Sequence, residues 1–349
     1  MMSARPKVVV FSTGGTIASV RGSDGAASPQ LSADQLVAAV PRLAEVADVE
    51  TIRFRQVASS DLSVADVIAL AERIVDVAAD GIAGAVVTQG TNTLEETSFV
   101  LDLLWDRDEP IALTGAMRNP ELPGADGPAN LLAAALVAAS PQARGLGALV
   151  VFNDEVHLPL FVRKTHTTNP AAFRSLQTGP IGWIIENRLR IALRPVVRHH
   201  LTISRVPDVV PSVALTKVTL GDDGRLLTAI ESLGYQGLVV EATGGGHVPR
   251  SMVEPLTRLA KNMPVVLASR TGAGELLRST YGFPGSETDL LSRGLIHAGI
   301  LDGAKARLLL TLLLIAGASN DTILEAFAAV GTPSCRAFRM DGKEAGATV

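Results

Sequence analysis

Short apolar runs rich in β-branched residues recur along the first half of the chain, with longer stretches of helical period between them. The runs are 8–12, 49–57, 84–88, 110–114 and 148–152, and each suits one strand and is too short for a buried helix. Between them, Ser32-Ala33-Asp34-Gln35 and Ser63-Val64-Ala65-Asp66 place a hydroxyl three residues ahead of a polar acceptor. That is the start signal of a helix, and it predicts helices running to about Val40 and Ala79. Strands alternating with helices specify a parallel sheet covered on both faces.

After residue 194 the pattern lapses into Arg, His and Pro, then resumes with strands expected over 213–220, 237–243 and 264–270. Helices are expected near 225–232, 249–261, 303–316 and 321–329. The fold class read from this is α/β in two domains. A larger flavodoxin- or Rossmann-like N-terminal domain covers 1–194, a linker 195–211, and a smaller α/β C-terminal domain 212–349. A chain of 349 residues that is 47% hydrophobic and 19% charged has the material for two such cores.

Composition excludes several function classes. The net charge is -4 with no block of like charges, which argues against a nucleic-acid partner. The greasiest stretch, 306–318, contains Arg307 and falls short of the ~20 residues a bilayer demands, so it is expected as a core helix and no membrane partner is implied. A single cysteine, Cys335, allows no internal disulfide, and six scattered histidines offer no metal-ligand spacing. His157 and the pair His199-His200 read as solvent-facing, and Trp105 and Trp183 as core or subunit interface. The apolar run after Lys7 is too short for a signal peptide, so the expected location is cytoplasmic.

Ligands of open parallel sheets bind beyond the carboxyl ends of the strands. That rule selects Thr13-Gly14-Gly15-Thr16, Ser59-Ser60-Asp61, Gln89-Gly90-Thr91-Asn92 and Gly115-Ala116-Met117. Paired glycines bring backbone close to a ligand and present bare N–H groups. The spacing is not G-x-G-x-x-G, so no dinucleotide cofactor is expected. A threonine is a weak nucleophile without a base, and Lys164, in Arg163-Lys164-Thr165-His166, is a candidate for one. Taken alone, Thr93 and Glu96 read as a capping box, and Lys164 as a solvated surface charge.

Five strings in order, Thr13-Gly14-Gly15-Thr16-Ile17-Ala18, Gly90-Thr91-Asn92-Thr93-Leu94-Glu95-Glu96-Thr97, Gly115-Ala116-Met117-Arg118, Ala125-Asp126-Gly127-Pro128-Ala129-Asn130-Leu131 and Lys164-Thr165-His166-Thr167-Thr168, resemble the bacterial L-asparaginase family. The resemblance spans essentially the whole chain, because Tyr281-Gly282-Phe283 and the segment from Gly303 to Arg307 are similar to the family's second domain. It implies homotetramers with sites between the subunits of an intimate dimer. The implied reaction releases ammonia from a small-molecule side-chain amide, L-asparagine by default, with no metal or cofactor. By position, Thr16 resembles the acyl-enzyme nucleophile, and Thr91 with Lys164 the hydroxyl-lysine pair that activates Thr16 or the attacking water. Ser59 resembles the group binding the substrate's α-carboxylate, Ala116 the carbonyl holding the leaving amide, and Glu275 an acidic residue lent by the neighbouring subunit. Backbone N–H groups around Gly15 and Thr91 suit the oxyanion, and Gly90 is a further candidate substrate-binding residue.

The chain departs from the family pattern at four places. Asn92 replaces an aspartate, Ser60 stands where glutamine is common, His247 replaces an asparagine, and the lid from Val20 to Gln30 has no tyrosine. The first three lie among the groups that would hold an α-amino group. Two other readings follow: the same chemistry on an amide lacking a free α-amine, or a catalytically silent small-molecule-binding homologue.

Overall fold

The computed structural model describes residues 5–21, 27–29 and 31–332. Cys335 and lid positions 22–26 and 30 lie outside the described residues. The chain divides into two compact units, Met1–Pro195 and Val196–Val349.

The first unit opens with β1 (Lys7–Gly14), followed by a short antiparallel pair, β2 (Ser19–Arg21) and β3 (Ala27–Pro29). Helices α1 (Ala33–Ala38) and α2 (Leu43–Val46) lead to β4 (Asp48–Val57). Three strand-and-helix steps follow: α3 (Val64–Ala79) to β5 (Gly84–Thr88), α4 (Leu94–Leu104) to β6 (Ile111–Thr114), and α5 (Gly127–Ala139) to β7 (Ala148–Phe152). Five short strands complete the unit: β8 (Glu155–His157), β9 (Val162–Lys164), β10 (Phe173–Ser175), β11 (Gly182–Ile185) and β12 (Arg188–Ile191). The main sheet has the order β12-β11-β8-β7-β6-β5-β1-β4. From β4 to β7 all pairs are parallel, and from β7 to β12 they are antiparallel.

The capping signals act as read. Ser32 and Ser63 each accept from the N–H three residues on, while the Gln35 and Asp66 side chains accept from the two cap N–H groups. Val8, Val9, Val10 and Phe11 are fully buried, as are Val86, Val87 and Ile111. Burial on both faces explains why these strands read as continuous apolar runs without alternation. Their ends are in register, with Ser12 opposite Thr88 and Thr88 opposite Thr114. Three loops therefore leave the sheet at one level.

The second unit has four parallel strands, β13 (Val213–Lys217), β14 (Gly237–Ala242), β15 (Val265–Ser269) and β16 (Ile296–His297), in that order across the sheet. Its helices are α6 (Arg250–Asn262), α7 (Glu287–Ser292), α8 (Gly303–Ile315) and α9 (Asn320–Val330). The greasy stretch forms most of α8, buried along nearly its whole length, and Arg307 Nε donates to Val213 O at 2.8 Å. Among the described residues no helix is long and apolar enough to cross a membrane.

Several details differ from the sequence reading. The segment near 225–232 is a 3-10 helix over Arg225–Ala229, and β13 ends at Lys217. Strands β8 to β12 and β16 are too short to leave a pattern. His157 is fully buried and His199 nearly so; the His157 ring faces Ser175 Oγ at 3.0 Å and Glu155 Oε2 at 3.4 Å instead of water. Trp105 is buried, whereas Trp183 on β11 is partly exposed.

Candidate active site

Four loops meet at the carboxyl ends of β4, β1, β5 and β6, and they meet through backbone. Gly15 has φ 88° and ψ -174°, and a Cβ added there would lie 2.1 Å from Gly90 N and 2.2 Å from Gly90 Cα. The β1 and β5 loops therefore touch where only a glycine fits. A Cβ on Gly90 would lie 2.8 Å from Ser59 Oγ, and one on Gly115 would lie 2.4 Å from Gln89 O and 3.4 Å from Thr91 Cγ2. These contacts gather Thr16, Ser59, Thr91 and Ala116 around one point on the sheet edge.

Thr16 opens a 3-10 turn, Thr16–Ala18, and is half-buried, while Ile17 and Ala18 beneath it are buried. The turn is pinned by Ser19 Oγ and Ala18 N, which both donate to Gly15 O, at 2.9 and 3.0 Å. Ser59 begins the 3-10 turn Ser59–Asp61. Its hydroxyl is buried and has no hydrogen-bond partner among the described residues, while Ser60 beside it is exposed. An unpaired buried hydroxyl costs about 1–3 kcal/mol unless something else satisfies it.

Lys164, at the end of β9, brings its Nζ to 2.8 Å from Thr91 Oγ1 and 3.4 Å from Asn92 Oδ1. Its backbone N–H donates to the Glu95 carboxylate on α4. Burial lowers the lysine's pKa from 10.5, and the Glu95 charge works against that shift. Thr91 is buried and Asn92 exposed. Lys164 is thus not a fully solvated charge: β9 pairs with β10 and packs near α4, and the side chain is partly buried.

Thr93 does not cap α4, contrary to the reading of a box with Glu96. Its hydroxyl instead donates to Ser59 O at 2.8 Å. Ala116 is fully buried, and the turn around it is braced by two residues of the next helix. The Asp126 carboxylate accepts from Met117 N and Arg118 N, each at 2.9 Å, and Asn130 Nδ2 donates to Gly115 O at 3.0 Å. Sequence reasoning assigned neither a role. Their i, i+4 spacing at the start of a helix that follows a glycine turn is the signal that was there to read.

The second unit holds the other two sequence-selected residues. His247 closes the turn Gly244-Gly245-Gly246 and its Nε2 lies 3.0 Å from Glu287 Oε2. Its ring meets Tyr281 and Phe283 edge-on, with centroids 5.0 and 5.1 Å away. Glu287 is fully buried. Burial opposes its ionisation, but N–H groups of Tyr281 and Thr280 and the His247 ring outweigh it and hold the carboxyl below its usual range. Glu275 is exposed and pairs with Arg278 at 3.5 Å. Leu276, its neighbour, accepts at its carbonyl from His297 Nε2 at 2.9 Å, while His297 Nδ1 accepts from Gly299 N. Among the described residues no cluster of His, Cys, Asp and Glu is placed to hold a metal.

Hydroxyls, a partly desolvated lysine and bare N–H groups at the edge of a doubly wound sheet make up the equipment of an acyl-transfer enzyme with a hydroxyl nucleophile. Comparison with known proteins narrows the class. Residues 7–197 match the family model for the asparaginase N-terminal domain, and residues 212–327 that for the glutaminase/asparaginase C-terminal domain. A probable L-asparaginase of Deinococcus radiodurans is 38% identical, covering 94% of this chain and 98% of its own. An L-asparaginase of Bacillus licheniformis is 32% identical over 88% of this chain and 95% of its own. The crystal structure of a probable cytoplasmic L-asparaginase from Campylobacter jejuni superposes with a TM-score of 0.84 at 30% identity, covering 93% of this chain and 99% of that one. The chain belongs to the asparaginase family, and is a hydrolase of carbon-nitrogen bonds in linear amides.

Proposed function

We propose that this enzyme hydrolyses L-asparagine to L-aspartate and ammonia through an acyl-enzyme on Thr16. The observation that carries the reading is the 2.8 Å approach of Lys164 Nζ to Thr91 Oγ1, beside the loop contact that presents Thr16. A lysine with a lowered pKa has a neutral fraction that accepts a hydroxyl proton. Thr16 Oγ1 attacks the side-chain amide carbon, and its proton passes by way of the Thr91–Lys164 pair to the departing ammonia. Backbone N–H groups around Gly15, Gly90 and Thr91 hold the oxyanion. Water, activated by the same pair, then releases the aspartate.

The unpartnered Ser59 hydroxyl is read as the donor to the substrate's α-carboxylate, and the Ala116 carbonyl as the acceptor for the amide N–H. Asn92 stays within reach of Lys164 and orients it without adding charge. His247, Glu275 and Ser60 are read as recognition groups, the first two serving a neighbouring subunit's site in a homotetramer. A cytoplasmic location is read from the likeness to the C. jejuni protein, which is described as a probable cytoplasmic L-asparaginase.

The test is ammonia release from L-asparagine, N-acetyl-asparagine and succinamate, with Thr16→Ala as the blank. Turnover of L-asparagine that falls on the order of 10^3-fold or more in Thr16→Ala is the expected result. Turnover of the blocked or amine-free amides alone overturns L-asparagine as the substrate, and undiminished activity in Thr16→Ala overturns the nucleophile.

A further inference from the structure

Thr93 stands at the N-cap of α4, where a threonine ordinarily spends its hydroxyl on the helix's own N–H groups. In this chain it does not. A hydroxyl has one proton to give. Gln89 Nε2 approaches Thr93 Oγ1 at 3.3 Å as a donor, and the same amide is anchored by donating to Thr97 Oγ1 at 2.9 Å. With Gln89 donating to that oxygen, the Thr93 proton is directed at Ser59 O, 2.8 Å away. Among the described residues the Ser59 carbonyl otherwise receives a longer bond from Leu62 N, at 3.3 Å.

We propose that Thr93 is a positioning residue for Ser59. By fixing the Ser59 carbonyl it sets the peptide plane from which the buried, unpartnered Ser59 hydroxyl is aimed into the space beside Gly90. The relay Gln89 to Thr93 to Ser59 is also a cross-brace. It ties the loop after β5, which carries Thr91, to the loop after β4, which carries Ser59, so that substrate-binding and proton-transfer groups keep one spacing. Sheet hydrogen bonds alone do not set that spacing, because β1 lies between the two strands. The inference rests on the reading of Ser59 as the carboxylate donor.

The experiment is steady-state kinetics of the full-length enzyme on L-asparagine for the wild type, Ser59→Ala, Thr93→Val, Thr93→Ser and the Ser59→Ala/Thr93→Val pair, with Tm recorded for each. Thr93→Val keeps the shape and removes the hydroxyl. It is expected to raise KM roughly three- to tenfold, the equivalent of one neutral hydrogen bond, with kcat within about twofold. Thr93→Ser is expected to restore KM, and the double variant to be no worse than Ser59→Ala, since both changes disable the same donor. A role in folding alone lowers Tm and leaves KM in place, which overturns the proposal, as do KM effects that multiply in the double variant. An unchanged KM in Ser59→Ala removes the carboxylate reading and the proposal with it. A raised KM there beside an unchanged one in Thr93→Val removes the proposal alone. Should Thr93→Val fail to fold, Gln89→Met removes the amide that directs the proton. A rise in KM in that variant supports the relay and an unchanged KM overturns it.

Discussion

Lys164 has two opposed influences on its charge: burial, which favours the neutral base, and the Glu95 carboxylate, which favours the ammonium. A base must be neutral to act, so if Lys164 is the base proposed above, kcat/KM is expected to rise with pH through its pKa. An aspartate at position 92 would bring a carboxylate to the site of an amide oxygen now 3.4 Å from Nζ. It would stabilise the charged form, and because position 92 is exposed the effect is screened. Asn92→Asp is therefore expected to move the acid limb of the kcat/KM profile to higher pH, and an unmoved limb would remove Lys164 as the titrating base. Sequence carried part of this site and not the rest. The strings around Thr16 and Thr91 are contiguous and legible, but the approach of Lys164 to Thr91 spans 73 positions and that of His247 to Glu287 spans 40. Contacts at such separations are made by the fold and leave no local periodicity. Thr93 misled for the opposite reason, since its local signal was sound and a long-range acceptor outcompeted it.

Among the elements, the strands buried on both faces were legible because their apolar runs have no alternation to confuse them. The short antiparallel strands were not. The β7–β8 and β11–β12 hairpins turn through Asn153-Asp154 and Glu186-Asn187, all four at positive φ and none a glycine, so the usual turn signal was missing. At the site, loop geometry depends on Gly15, whose φ is positive and whose missing Cβ admits Gly90. Gly81, just past the end of α3, also has a positive φ but open space around it. Gly81→Ala is expected to cost about 1 kcal/mol, for the left-handed conformation alone. Gly15→Ala adds the steric clash and is expected to cost about 2–5 kcal/mol and to abolish turnover. Urea unfolding of the pair checks this, and equal losses would mean that the loop contact is not needed for stability.

Across the whole molecule, three buried histidines make stability depend on pH in one direction. Burial and the Arg174 charge lower His157 to about 4, burial lowers His199, and burial with Arg278 lowers His297. Unfolded imidazoles take up protons near 6.5. Below that pH the unfolded chain binds more protons than the folded one, and stability falls as pH drops, levelling for His157 once pH passes below about 4. His157 alone contributes about 3 kcal/mol to the loss. Urea midpoints measured from pH 8 to pH 4 are expected to decline from 6.5 downward, less steeply in His157→Gln, and a flat profile would show that the ring is not held neutral. The four-loop junction bears on how an enzyme of this build changes over evolutionary time. Its frame is written in backbone-to-backbone glycine contacts, where a side chain is excluded, while Ser60, Asn92 and Glu275 are exposed. If Ser60 and Glu275 are the recognition groups proposed above, a lineage can exchange one amide for another by single substitutions that leave the glycine frame intact.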